Sequence, residues 1–595
     1  MPPENFYKQN LLDLQATLKN LLKKRNTFGW LRFAMVILIA CTYFIFPLGL
    51  VVVTFTILLL LIVFTRLIYA DLNNKIIIET TQNLININED ELKALAHNYY
   101  HFADGSEHNP KDHLYANDLD IFGRASLFQY INRTGSQMGG ALLAEWLLNP
   151  ADTETLLQRQ TAVKELSGKT EWRQQLQASG RQKKIQTATK QRLKQWLSEA
   201  DLFSNKNYWI VLSFVLPAVL LTIIGLNIAG IVTYQIRNIA LLFFAIIAYF
   251  IGKKAAPAHQ YLSKIVSELE VLSDSIALIE NLDCTSTLLK EMQAQFLQKN
   301  STTSIELKKL KSIVSRLDLR YNPVVFIPLA VLFQWDLQQV LALEKWKRIN
   351  QKNALQWFDM LAQFEAINSL ATLSFNHPEW CFPILKEKHF FIEGIQIGHP
   401  LINAAKRIDN DILINSSGEI MLITGSNMAG KSTYLRSIGI NVVLAMAGAP
   451  VCAKKFTLSP VQIISSMRIA DNLEESTSTF YAELKKLKTV IDKVNEGAHI
   501  FILLDEILRG TNSLDRHTGS VALLKQLIKK HAAGIIATHD VELATLIETY
   551  PKNILNYHFD AQVSNDELYF DYKLKTGVCE SLNASILMKK IGIEL

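Results

Sequence analysis

The chain has 595 residues, enough for several domains, and a formal charge of +6 from 61 basic and 55 acidic residues. That mild excess suits a nucleic acid or an anionic membrane surface without selecting either. The five cysteines, Cys41, Cys284, Cys381, Cys452 and Cys579, form no Cys-x-x-Cys pair, which argues against a zinc site or disulfide framework and fits a reducing, cytosolic main body.

Mean hydropathy is nevertheless positive, +0.13, and the excess sits in two blocks. Residues 1–28 read as a cytosolic helix. From Phe33 to Thr65 there are 33 residues without a charge, interrupted only by Pro47 and Gly49. One crossing needs about 20 apolar residues, so a transmembrane hairpin over 29–70 is expected, with crossings near Trp30–Phe46 and Leu48–Tyr69 and a turn at the Pro-Leu-Gly step. A single kinked helix is the alternative. Lys23, Lys24 and Arg25 lie ahead of a run too long for a signal peptide, so the segment is expected to stay in the mature chain.

Residues 71–206 carry polar, helical periodicity and read as a helical domain. Within it, Tyr130 to Pro150 places Gly139 and Gly140 ahead of an apolar helix-forming run. The second apolar block, 207–254, is expected to form another hairpin, its turn at Thr233–Asn238 in preference to Asn227, which would leave Arg237 inside the membrane or force it to snorkel. The basic flanks, from Lys19 to Arg32 and at Arg66, Lys253 and Lys254, mark the cytoplasmic side. About four crossings in the inner (cytoplasmic) membrane, with the large segments in the cytosol, follow. Residues 255–377 suit extended helices, and the ten apolar residues Val324–Phe333 are too short to cross, which favours a place in the core.

From 378 to 595 short strands alternate with helices, the pattern of a doubly wound sheet. Residues 419–433 read as an apolar strand, a G-x-x-x-x-G-K-S loop and a helix start. That context points to a P-loop over Gly425, Ser426, Asn427, Met428, Ala429, Gly430, Lys431, Ser432 and Thr433. Gly425 and Gly430 let backbone N–H groups face the phosphates of ATP, Lys431 neutralises their oxygens, and Ser432 would hold Mg2+. His499 to Glu506 is a buried-strand pattern ending in two acids, Asp505 to meet the same Mg2+ and Glu506 to orient or deprotonate water. His539, at the end of the strand Gly534–His539, is a candidate γ-phosphate sensor. Ser476 to Glu483 is by itself an N-cap signal.

The set is similar to the MutS family of DNA-repair ATPases. GSNMAGKST resembles the family's GPNMGGKST loop, with Ser426 and Ala429 replacing a proline and a glycine. Ser478-Thr-Phe-Tyr-Ala-Glu483 resembles its STF-x-x-E element, Asp505 to Asp515 its DEIGRGTST-x-D, and Ala537-Thr-His539 its ATH. Weaker echoes are Gly398-His-Pro400, Asn410-Asp-Ile412, Tyr572 to Gly577, and the core-like stretch from about 120 through Arg159 to Val163. Resemblance covers roughly 120–206 and 360–585. It implies a multidomain α and α/β chain: a helical core and lever region, then a C-terminal P-loop NTPase domain of the ABC type. It also implies ATP and Mg2+ as cofactors, DNA as a partner, and a homodimer in which Ser478, with Thr479, reaches the partner's nucleotide.

Departures from the family pattern carry expectations of their own. No Phe-Tyr-Glu mismatch-probing module precedes the core, and the second hairpin lies where the family builds its levers and DNA clamp, so a full clamp is hard to fit. The family's C-terminal dimerisation helices look curtailed at Leu595. The alternative is an ATP-driven membrane scaffold or transporter-like protein without DNA binding, although no Leu-Ser-Gly-Gly-Gln signature occurs. A relative that binds ATP without turnover is disfavoured by the intact Lys431, Ser432, Asp505 and Glu506.

Overall fold

The computed structural model describes residues 2–45, 50–203, 208–297, 301–387, 390–426, 428–467, 479–497, 499–564 and 567–579. It opens with two long helices, α1 (Pro3–Ile45) and α2 (Leu50–Leu95), packed along each other. The expected turn at residues 46–49 lies outside the described residues. Neither helix stops where its apolar run ends: the polar part of α2 contains no Gly or Pro, and in α1 the helix continues through Gly29. At 46 residues and a rise of 1.5 Å each, α2 is a rod of roughly 70 Å. Polar pairs stitch the two: Arg32 meets Asp71 at 3.0 Å, and the Asn74 side chain donates to the Leu21 carbonyl at 3.1 Å.

The far end of this hairpin is built into the helical domain. That domain comprises α3 (Leu127–Ile131), α4 (Gln137–Leu148), α5 (Thr153–Ser167), α6 (Thr170–Gln182) and α7 (Thr187–Ser198). Buried Glu91 of α2 takes the Arg133 guanidinium on both carboxylate oxygens and a 2.8 Å bond from Asn376, whose own oxygen accepts from the Tyr7 hydroxyl of α1. A buried charge without such partners would cost several kcal/mol, so α1 and α2 are locked in register with the core.

Two apolar helices follow, α8 (Tyr208–Ile228) and α9 (Tyr234–Ser263). Their turn is Ala229–Thr233, not the Thr233–Asn238 preferred above. Gly230 adopts φ +76°, which ends α8 without strain, and the extended Thr233 stands at the N-cap position of α9 without a side-chain capping bond. Arg237 therefore lies in the first turn of α9 and reaches back to the Asn227 side chain at 3.2 Å. Then come α10 (Val266–Glu280), α11 (Thr287–Ala294), α12 (Thr303–Leu317), α13 (Pro323–Phe333), α14 (Trp335–Asn350) and α15 (Gln356–Asn376). The expectation that 324–333 lies in the core is also corrected: in α13 Val324 is 83% and Ile327 59% exposed. Among the described residues three helices are long and apolar enough to cross a membrane, within α2, α8 and α9, and up to four if the bent pair α13–α14 counts as one.

The C-terminal part holds two sheets. A small one, in the order β1-β5-β2-β3, joins β1 (Ile384–Leu385), β2 (Ile392–Ile397), β3 (Asn410–Ile414) and β5 (Lys455–Leu458). The main sheet contains β4 (Ile420–Gly425), β6 (Gln462–Ser466), β7 (Ile500–Asp505), β8 (Ala533–Thr538), β9 (Ile554–Ser564) and β10 (Glu567–Thr576), ordered β10-β9-β4-β8-β7-β6, parallel except for β10. Alternate residues of β4 and β7 feed two cores. Met421, Ile423, Phe501 and Leu503 pack with α16 (Lys431–Ala447), while Ile420, Leu422, Ile500 and Ile502 pack with α17 (Thr479–Asn495) and α18 (Ser513–Lys529). Burial on both faces explains why these strands are continuously apolar.

Candidate nucleotide site

Strands β4, β8 and β7 lie side by side, so their carboxyl ends bring three separate stretches of sequence to one edge, the usual place for a ligand on such a sheet. The loop after β4 turns on Gly425 (φ +146°) and Gly430 (φ +108°). A Cβ on Gly425 would sit 2.7 Å from the Phe559 carbonyl oxygen, so other residues are excluded there by space as well as by conformation. Gly430 is the N-cap of α16 and offers no side chain to the helix's first N–H groups, which leaves them directed at the loop's concave side.

Lys431 is buried and bends back to the carbonyls of Gly425 (2.7 Å) and Ser426 (2.9 Å), with its Nζ 3.3 Å from His539 Nε2. Burial lowers its pKa, while Asp505 and Glu506 pull it the other way. The Ser432 hydroxyl donates to Asp505 Oδ2 at 2.5 Å. The other oxygen, Asp505 Oδ1, is buried with no hydrogen-bond partner. An orphaned buried carboxylate oxygen beside a serine hydroxyl is the donor set of a hard divalent cation. These residues fit Mg2+.

Glu506 stands in the left-handed region, φ +54°, while its N–H still pairs with the Ala537 carbonyl of β8. Its two oxygens are held from opposite sides: His539 Nε2 at 2.6 Å and Arg509 Nε at 2.9 Å. The histidine hydrogen bond, then Arg509, outweigh burial and keep the carboxyl below the ordinary glutamate range. An ionised carboxylate is the right form for a base. Each oxygen has one such partner and keeps a second lone pair with which it can accept a hydrogen bond from water.

The turn that carries this pair is shaped by Glu483 of α17. Its buried carboxylate accepts the backbone N–H groups of Leu508 (2.5 Å) and Arg509 (3.0 Å), and Leu508 is also left-handed at φ +59°. Phe480 closes over Gly510, where a Cβ would lie 2.7 Å from the phenylalanine Cβ. Arg509 and this use of Glu483 were not anticipated from the motifs. The available signal was the four-residue spacing from Asp505, which lets the Arg509 guanidinium return to the Asp505 carbonyl at 3.1 Å.

Beside the loop opens a cavity of about 510 Å3 bounded by Ile397, His399, Ile408, Phe559, Phe570 and Tyr572, in the size range of small-molecule sites. The weaker sequence echoes meet here. Asn410 pins a bulge in β10, donating to the Tyr572 carbonyl at 3.0 Å and accepting from Leu574 N at 2.9 Å. Tyr572, at φ +52°, is thereby set over Gly430. His399, half-buried at the cavity wall, has its pKa lowered to about 4 by desolvation, with Arg436 and Arg407 adding to the shift, so it is neutral.

Of the anticipated site residues, Gly425, Ser426, Met428, Ala429, Gly430, Lys431, Ser432, Thr433, Asp505, Glu506 and His539 gather at this edge. Asn427 and Ser478 lie outside the described residues. Thr479 is the first residue of α17, its side chain likewise outside them. The site is tied to the helical domain through Asp118, which accepts from Ser465 (2.7 Å) and Lys486 (2.6 Å).

Two family models match the chain: MutS domain III over residues 113–371 and MutS domain V over 421–590. The first span contains α8 and α9 and extends across a region where no resemblance was anticipated. Among curated proteins the chain is 30% identical over 324 residues to the DNA mismatch repair protein MutS of Finegoldia magna, covering 53% of this chain and 35% of that one. It is 33% identical over 205 residues to human MutS protein homolog 4, covering 33% and 22%. It is also 33% identical to the mitochondrial DNA mismatch repair protein mutS homolog of Sarcophyton glaucum, covering 35% and 21%. The matches thus span about a third or less of those relatives' lengths.

Proposed function

Because the chain belongs to the MutS family, we propose that it is a Mg2+-dependent ATPase tethered to the cytoplasmic membrane, whose nucleotide state is transmitted through the helical domain to DNA. The observation that carries the ATPase reading is the pairing of Ser432 with Asp505 beside the free oxygen Asp505 Oδ1, one loop away from buried Lys431. The phosphates of ATP would lie against the N–H groups of 429–433, with the nucleoside in the cavity under Tyr572. Ser432 and Asp505 would hold Mg2+, which would supply positive charge against that developing on the phosphates. Glu506, held by Arg509 and His539, would orient and deprotonate the attacking water. In a homodimer, Ser478 would complete the partner's site.

Membrane attachment is supported by the exposed apolar bands of α2, α8 and α9, which include Phe55 (69%), Phe214 (72%), Ile239 (69%) and Leu242 (65%). Isolated exposed hydrophobics need no account, but bands of this extent do. The basic clusters at their ends support a cytosolic ATPase domain. DNA binding is inferred from the relatives that are named for DNA mismatch repair. A second reading is favoured by the position of α8 and α9 inside the domain III span: the same ATPase drives a membrane scaffold and does not engage DNA.

ATP hydrolysis by the detergent-purified chain, with Glu506→Gln as control, tests both. Homoduplex, mismatched and branched DNA are added across a salt series, since phosphate contacts weaken with salt. Turnover that depends on Glu506 and responds to DNA at low salt supports the first reading. Turnover indifferent to every DNA supports the second, and none in the wild type refutes the ATPase assignment.

A further inference from the structure

Helix α13 has eleven residues, none charged, and Ala330 is the buried one among them. Leaving such a surface in water is unfavourable by about 25 cal/mol per Å2. The helix packs on α8 and α9, next to their own exposed apolar bands. Its two ends mark a depth along α9. Ahead of it, Arg320 donates to the Gly252 carbonyl at 2.6 Å, beside Lys253 and Lys254 at the basic end of the span. Behind it, the Gln334 side chain reaches the Phe244 carbonyl at 3.3 Å, eight residues and thus about 12 Å further in. The chain then bends by 79° into α14, and Asp336 returns to Arg320 at 3.2 Å.

We infer that α13 is a re-entrant half-helix embedded among the acyl chains of the bilayer, an inference that rests on the membrane reading above. Eleven residues reach about 16 Å, half the hydrocarbon core, so the helix enters without crossing. A helix broken inside a bilayer must hide the exposed backbone of its break within protein. The break here is hidden: Gln334, at φ +50°, is 1% exposed and its amide bonds to the Phe244 and Val331 carbonyls. On the other side, Gln338 donates to the Ser213 carbonyl of α8 at 3.4 Å. From this anchored turn α14 leads into α15, which ends at Asn376 beside Glu91 and precedes the first strand of the ATPase domain. The bilayer thereby holds the helix pair that precedes the first strand of the C-terminal part.

The test places the photoreactive residue p-benzoylphenylalanine singly at Val324, at Phe214 of α8, or at exposed Leu157 of α5, in the full chain reconstituted into phosphatidylethanolamine and phosphatidylglycerol vesicles. After irradiation, phospholipid adducts are identified by mass. Adducts at 324 as abundant as those at 214, and absent at 157, are expected. Adducts at 214 but not 324, or a protein–protein adduct at 324, overturn the inference and leave the membrane reading standing. Adducts at neither 214 nor 324 overturn both.

Discussion

Replacing Glu483 with glutamine probes the turn that positions Glu506, the proposed catalytic carboxylate, without touching the proposed nucleotide or metal positions. The carboxylate accepts the N–H groups of Leu508 and Arg509 from within a buried setting. Glutamine keeps one acceptor and turns an NH2 group toward the other donor, so one charge-assisted bond is lost and one N–H is left facing a donor. A hydrogen bond to a charged group contributes about 1.5–3 kcal/mol. The turn also holds Glu506 and Leu508 at positive φ, a strain that relaxes once the restraint weakens. Since 1.36 kcal/mol is tenfold in rate, Glu483→Gln is expected to lower kcat roughly 10- to 100-fold. The P-loop, on β4 and α16, does not depend on this turn, so affinity for a fluorescent ATP analogue should stay within about twofold. Steady-state hydrolysis and equilibrium binding on the same preparation separate the two. Wild-type kcat, or an affinity that falls in proportion to kcat, would refute the reasoning.

Asp505→Asn should abolish Mg2+-dependent hydrolysis while leaving some nucleotide binding, because it removes the charge from the orphaned oxygen; titration of turnover against Mg2+ reads this directly. Buried Glu365 accepts from the Ser136 N–H and hydroxyl, yet desolvation pushes its carboxyl up to about 7. Between the unfolded glutamate value and about 7, the folded chain binds the extra proton, so stability falls as pH rises through that window, by about 3 kcal/mol in all. Glu365→Gln should flatten this slope and melt higher than the wild type at pH 8, as a thermal scan in detergent will show. Glu91→Gln leaves the buried Arg133 guanidinium without its counter-charge, for a loss of about 3–5 kcal/mol. Its melting temperature should fall, and protease should release the α1–α2 hairpin from the core.

Much of the nucleotide site was legible because its chemistry is local. Phosphate recognition needs glycines at fixed spacing after a strand and a lysine at a helix start, and metal binding needs an acid at a buried strand's end. The apolar blocks were equally plain, since solvent preference is additive along a chain. The turn of the second hairpin was misplaced because charge avoidance was weighed above Gly230, whose conformational freedom ends α8. The run Val324–Phe333 was misassigned because its length alone does not distinguish a core helix from a half-helix in lipid.

From its residues alone this protein declares a P-loop, its acidic partner strand, two apolar blocks and a family likeness. Each is a property of consecutive residues, expressed wherever the chain goes. The folded chain alone decides that His539 and Arg509 clamp Glu506 from both sides, that Glu483 shapes the turn beneath it, that Asn410 sets Tyr572 over Gly430, and that α13 lies exposed against α8 and α9. Apart from the local contact of Arg509 with Glu506, these are meetings between segments tens to hundreds of residues apart. Strand order and helix packing bring those long-range meetings about, and no spacing along the sequence encodes them.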